Sequence, residues 1–218
     1  MKEAHIIETS DGSSSIHAPQ FNASYHSLHG ALQESRHVFI QQGLDLFTAS
    51  NKIQLLEIGF GSGLNALLAW NWAIEHSVEI SYTGIEAYPL EPEMLHDFHV
   101  GDAGSRDQFM QLHQSEWEVT NHVSPLFSIH KKKLNWPQFE LEQQYDLLFY
   151  DAFAPNCQPE LWEKEALECC VNSMRSGGIW VSYCAKGEVR RMLISQGCDV
   201  ERLPGPPFKR HMLRARKH

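Results

Sequence analysis

The chain has 218 residues, 42% of them hydrophobic, which is enough for one medium domain with a full core and too apolar for a disordered tail. No run approaches the ~20 uncharged apolar residues that span a bilayer, and Met1 to Gly12 lack the basic start and apolar stretch of a secretion signal, so a soluble, cytoplasmic protein is expected. The formal net charge of −9 argues against a polyanion partner, but the average hides a division: residues 1–174 carry −16, whereas residues 175–218 carry +7. Such a tail could hold a polyanion locally or simply be a solvated basic surface, and charge alone does not choose between them.

Five cysteines, odd in number and without a C-x-x-C, indicate reduced thiols and no disulfide framework. The thirteen histidines include the pairs His26/His29 and His96/His99, yet no H-E-x-x-H or comparable ligand pattern accompanies them, so no metal site is expected.

In chain order, the weak alternation of HIIET predicts an N-terminal strand or hairpin followed by loop. Between Tyr25 and Phe47 the apolar residues Leu28, Leu32, Val38, Phe39, Leu44 and Phe47 recur at helical spacing, interrupted by Gly30 and Gly43, which predicts short helices. IQLLEIG then gives way to GFGSG and the amphipathic LNALLAWNWAIEH, a strand, tight turn and helix. ISYTGIEAYP is a second strand ending at Glu86, with Pro89 expected to open a helix. Later strands are SPLFSIH, YDLLFYD and GGIWVSYCA, with helices from about Pro159 to Met174 and from about Gly187 to Gln196. The end, CDVERLPGPPFKRHMLRAR, reads as strand, turn, strand, and must pair antiparallel. The expected fold class is α/β: a doubly wound, Rossmann-like sheet, mostly parallel, with an antiparallel C-terminal hairpin. The domain division expected is an N-terminal extension over residues 1–48 and a single sheet domain over 49–218.

The turn Glu57-Ile58-Gly59-Phe60-Gly61-Ser62-Gly63 carries the first chemical signal. Its glycines let the backbone turn off a strand and let a ligand approach without a Cβ in the way. A dinucleotide fingerprint would need a third glycine where Leu64 stands, which argues against nicotinamide or flavin. Glu86, at the end of the second strand, stands where an acid accepts hydrogen bonds from both hydroxyls of an unphosphorylated ribose. Asp151 stands at the carboxyl end of a central strand, the edge where open α/β proteins bind ligands, among apolar and aromatic neighbours. The plainer reading of Asp151 is a cap for the helix near Pro159.

The glycine turn, Glu86 and the final hairpin together resemble the class I S-adenosylmethionine-dependent methyltransferases. More narrowly, GALQESRHVFIQQGL (30–44), LLEIGFGSGLNALLAW (55–70), the IEAYPL segment, YDAFAPNCQPELW (150–162), MRSGGIWVSYCAKGEVRRML (174–193) and PGPPFKRHML (204–213) resemble the methyltransferase half of the MnmC family and its stand-alone form, MnmD. That resemblance runs from about residue 20 to the C-terminus, and GFGSGLN and DAFAP followed by P-x-x-W are its specific parts. It implies methyl transfer from S-adenosylmethionine to the exocyclic amine of 5-aminomethyl(-2-thio)uridine in tRNA. Carried over by position, Glu57, Gly59, Phe60, Gly61, Gly63 and Asn65 line the cofactor, Glu86 grips its ribose, and Glu34 and Ser35 close over it. Asp151 and Phe153 meet the reacting amine, with Tyr150 shaping the pocket. Lys209, Arg210, Arg214, Arg190 and Arg191, joined by Lys131 to Lys133, hold the tRNA, and Tyr183 and Trp162 are stacking candidates that also fit core positions.

The chain departs from that family before its fourth strand. A Gly-Asp for adenine contact is expected there, and Ile129-His130-Lys131-Lys132-Lys133 stands in its place, leaving Gly101-Asp102 as an unplaced candidate. The FAD-dependent oxidase half of MnmC does not fit in this length. Competing functions are methyl transfer to a small-molecule or protein amine, and a non-catalytic RNA- or nucleotide-binding module that keeps the fold.

Overall fold

The computed structural model describes residues 4–25, 30–135 and 144–218. His26, Leu28 and His29 lie outside them. The N-terminal strands β1 (His5–Glu8), β2 (Ser14–Ala18) and β3 (Ala23–Ser24) form a small antiparallel sheet. The expected short helices follow as α1 (Ala31–Ser35), a π turn over Arg36–Gln41 and a 3-10 turn over Leu44–Phe47. Ile16, Leu32, Phe39 and Leu44 join the same hydrophobic cluster as the central strands, so this N-terminal piece packs on the main body.

Among the described residues the main sheet has eight strands. In chain order these are β4 (Lys52–Ile58), β5 (Glu79–Glu86), β6 (Thr120–Ser124), β7 (Phe127–Lys133), β8 (Tyr145–Tyr150), β9 (Met174–Ser182), β10 (Cys198–Pro204) and β11 (His211–Lys217). Their order across the sheet is β10-β11-β9-β8-β4-β5-β7-β6. β7, β5, β4, β8 and β9 run parallel, while β11 returns antiparallel to β9 and β10 pairs outside it, as the helix-free C-terminal hairpin requires. β4 and β8 are buried nearly throughout, as strands covered on both faces must be. Helices α2 (Leu64–His76), α3 (Arg106–Gln114), α4 (Lys164–Ser173) and α5 (Gly187–Ser195) supply the covering layers. Among the described residues, no helix is long and apolar enough to cross a membrane.

Four local expectations change. Pro89 does not open a helix: Pro92 forces Glu91 into an extended conformation, and a 3-10 turn starts only at Pro92. The helix expected from Pro159 breaks into a 3-10 turn, Pro159–Trp162, and α4, because Glu163 is extended. α3 falls where no helix is expected, although Ser105 and Gln108 form a capping box whose S-x-x-Q spacing is visible in the sequence. β6 is likewise an addition, a polar edge strand paired antiparallel with β7 and without apolar alternation to announce it.

Candidate active site

The strand order reverses between the parallel neighbours β4 and β8: from β4 the chain proceeds through β5 to β7 on one side, and then crosses to β8 on the other. Such a reversal opens a crevice at the carboxyl ends of the strands. The two sequence signals meet in it. The Asp151 amide donates to the Ile58 carbonyl at 2.9 Å, and a Cβ on Gly59 would stand 2.6 Å from the Asp151 carbonyl oxygen. Gly59 also adopts a φ of +90°, so both backbone shape and close approach demand glycine there.

A pocket of about 290 Å³ lies at this edge, lined by Gly59, Gly61, Glu86, Asp151 and Phe153 among others. Glu86 is buried, and its two carboxylate oxygens accept from the amides of Gly61 and Tyr88, each at 2.9 Å. Burial raises its pKa despite those bonds. Asp151 keeps partial exposure through the pocket. Burial, reinforced by the charge of Glu34, pushes its carboxyl up to about 7, against the opposing effects of Asn65 and Lys209. No helix cap is made by it; its Oδ2 instead accepts from Asn65 Nδ2 at 2.8 Å.

Asn65 joins two acids. The same Nδ2 donates to Glu57 Oε1 at 2.8 Å, while Tyr82 donates to Glu57 Oε2 at 2.6 Å. Glu57 is fully buried outside the pocket lining, and burial holds its pKa well above the usual carboxylate range. Its position is therefore behind Asn65. Asn65 Oδ1 is buried with no hydrogen-bond partner among the described residues, an acceptor awaiting a donor.

The loop after β8 is fastened at successive carbonyls. Tyr183 donates to the Ala152 oxygen at 2.8 Å and Trp162 Nε1 donates to the Phe153 oxygen at 2.7 Å. Tyr150 is fully buried and donates to the Leu161 carbonyl. Trp162 is thus an internal fastener, which gives P-x-x-W a structural purpose. Phe153 meets two rings from the N-terminal sheet region, Phe21 at 4.6 Å and Tyr25 at 5.0 Å between centroids, and Phe21 reaches Tyr88 at 5.5 Å.

The remaining candidates scatter more widely. Gly61 and Gly63 both have positive φ; a Cβ on Gly61 would strike Tyr25, and one on Gly63 would crowd Phe60 and His113. Phe60 is buried beneath the turn against Gly84. Glu34 is buried and paired with Lys209, and Ser35 is buried with no partner for its hydroxyl among the described residues. Arg214 bonds Glu201 at 2.9 Å, Arg190 is half-buried on α5, and Arg191 and Arg210 are exposed.

Lys131 is a correction. Expected on the tRNA surface, it is fully buried, donating to the Leu112 and His113 carbonyls at the end of α3 (2.8 and 3.1 Å) and lying 4.9 Å from the Trp117 ring. Burial lowers its pKa to about 8. Gly101-Asp102 does not line this pocket either, and Asp102 pairs with Arg36 at 2.9 Å elsewhere. The pocket wall beyond β7 is formed by Leu134 and Asn135, and the Leu134 amide donates to the Glu86 carbonyl at 3.1 Å. These two residues, with Phe21 and Tyr25, join the site without a motif that announces them. Tyr88, which also lines the pocket, belongs to the IEAYPL segment.

Residues 127–218 match a family described as S-adenosyl-L-methionine-dependent methyltransferases. Among curated relatives, the tRNA 5-methylaminomethyl-2-thiouridine biosynthesis bifunctional protein MnmC of Aromatoleum aromaticum is 30% identical over 98% of this chain and 35% of its own length. Its namesake from Leptospira interrogans is 29% identical over 89% of this chain and 32% of its own length. The chain spans about a third of the length of these relatives. The crystal structure of MnmC2 from Aquifex aeolicus superposes with a TM-score of 0.83 at 24% identity, covering 99% of this chain and 71% of that one. The pocket fits S-adenosylmethionine: Gly59 and Gly61 line it where a Cβ would intrude and the buried Glu86 offers acceptors for a diol, while Asn65, outside the lining, keeps a buried unused acceptor at Oδ1. Over residues 127–218 the chain is thus similar to an S-adenosyl-L-methionine-dependent methyltransferase family, over nearly its whole length it is similar to about a third of the MnmC proteins, and its fold is that of MnmC2.

Proposed function

We propose that this protein methylates the exocyclic amine of 5-aminomethyl(-2-thio)uridine at the tRNA wobble position, giving the 5-methylaminomethyl product. The observation that carries the reading is the coupling of Asp151 to Asn65 across the strand reversal, which sets a carboxylate for an amine directly beside the glycine turn. The names of the MnmC relatives, which concern biosynthesis of this modified uridine, support the same acceptor.

When bound, S-adenosylmethionine supplies an electrophilic methyl on a positive sulfur. Displacement at that carbon needs orientation more than covalent help, so the fixed loop 151–153 is the main contribution of the chain. Glu34, Glu57, Glu86 and Asp151 gather at or behind the pocket, a charge set suited to cationic ligands. A primary alkylamine with a solution pKa near ~10.4 arrives as an ammonium and must lose a proton before it can attack. Asp151, with a pKa raised to about 7, suits both steps, because ionised above neutrality it binds the ammonium, and it can then take the proton and release it to water. Phe153 limits water around the nitrogen, with Phe21 and Tyr25 behind it.

The tRNA approaches over exposed Arg191 and Arg210, with half-buried Arg190 nearby in sequence; the uridine is splayed into the pocket. Purified protein incubated with radiolabelled S-adenosylmethionine and tRNA bearing 5-aminomethyluridine should place label in 5-methylaminomethyluridine on nucleoside analysis. Cofactor binding without labelled product would reject the acceptor and leave the fold assignment intact.

A further inference from the structure

Lys209 belongs to the basic tail, yet its ammonium is engaged with Glu34, whose charge acts on Asp151. It bonds the buried Glu34 carboxylate and lies 4.1 Å from the centre of the Tyr183 ring. Tyr183 fastens the Ala152 carbonyl, one residue beyond Asp151. The lysine comes from a tight turn between β10 and β11, closed by the Lys209 amide on the Pro206 oxygen at 2.9 Å and the Gly205 amide on the Arg210 oxygen at 3.2 Å. A Cβ on Gly205 would meet the Lys209 carbonyl at 2.4 Å, so the turn has no slack at this point.

We infer, on the proposed methyl transfer, that Lys209 is a positioning residue of that reaction and not a surface anchor for tRNA: Glu34 and the Tyr183 ring pin its ammonium beside Asp151, where its charge governs how readily the acceptor amine gives up its proton.

The charged and titratable groups that act with Asp151 come from several elements: Glu34 on α1, Glu57 on β4, Tyr82 on β5, Tyr183 after β9, and Lys209. Lys209 opposes the acids. The acceptor ammonium passes one N–H proton to the Asp151 carboxylate, and the freed lone pair forms the N–C bond as the donor C–S bond breaks. A fixed positive charge beside this exchange disfavours the ammonium form of the amine and favours the ionised form of Asp151. Both effects extend the active range toward lower pH.

The test measures single-turnover methyl transfer against pH, together with salt-dependent tRNA affinity and the carbon-13 NMR titration of Asp151. Lys209→Met should move the rising limb of the rate profile to higher pH, about tenfold slower at pH 7 for each unit of displacement, with most of the rate returning near pH 9. Its tRNA affinity and salt dependence should match those of the parent. Lys209→Arg should restore the limb, and Glu34→Gln, which removes a negative neighbour of Asp151, should move it the opposite way. An unmoved limb in Lys209→Met, with weaker tRNA binding and a shallower salt slope, would overturn the inference. Should that variant fail to fold, an unmoved limb and titration in Glu34→Gln overturn it equally. Should the parent protein not methylate this tRNA, the proposed acceptor falls, while the NMR titration still decides whether Lys209 and Glu34 set Asp151 in opposite directions.

Discussion

The acids at the strand reversal and the cations of the C-terminal segment are both conspicuous in the sequence, yet the fold treats them differently. Glu57 and Glu86 are driven inward, where burial raises their pKa values, and Asp151 faces the pocket beside them. The tail's cations are partly consumed in structure: Arg175 pairs with Asp146 at 2.7 Å, Arg214 with Glu201, Lys209 with Glu34, and Lys217 donates to the Met174 carbonyl at 2.7 Å. A concentration of charge in sequence therefore marks chemistry when it is desolvated, and only the remainder left at the surface is available to a polyanion.

The sharpest way to break this contrast is Asp151→Asn. Methyl transfer should fall by ~10² or more, with cofactor binding retained, measured by single turnover and calorimetry. The same variant carries a stability signature. Asp151 has a folded pKa of about 7 against an ordinary value of 3.8, so its stabilising contribution is complete below the ordinary value and is lost as pH rises through 7. The asparagine stays neutral, and the variant should therefore be more stable than the parent at pH 8, by up to ~4 kcal/mol, and should gain nothing at pH 3.5, in denaturant melts.

Lys131→Met tests a cation spent wholly inside. It should cost ~2–4 kcal/mol by stranding two carbonyls at the end of α3, and should leave the salt dependence of tRNA binding unchanged. Arg191→Ala has the smallest expected effect: a few-fold loss of tRNA affinity and a salt slope shallower by about one, with stability unaltered.

What is legible in the sequence is local. β4, the glycine turn and α2 form one continuous stretch in which apolar run, turn residues and helical periodicity succeed one another, and Asp151 ends an equally plain apolar strand. Lys131 departs from its expected place on the surface although a local signal exists: Phe127, Ile129 and Lys131 alternate along β7 and are all buried, so the strand period itself puts the lysine on the inner face. Phe21 and Tyr25 offer no such clue, because their contact with Phe153 joins distant parts of the chain. The split of the helix at Glu163 likewise depends on Trp162 reaching back to the Phe153 carbonyl, a tertiary bond that periodicity does not see.

That aromatic contact divides the labour of the pocket between two pieces of architecture. The glycine turn, Glu86 and Asp151 hang from the eight-stranded sheet, whereas Phe21 and Tyr25 flank the two-residue strand β3 of a separate small sheet. A fragment beginning at residue 49 would retain every strand of the main sheet and lose both rings. Exchanging the first twenty-five residues would thus change the rings that meet Phe153 without touching the strands that carry Glu86 and Asp151.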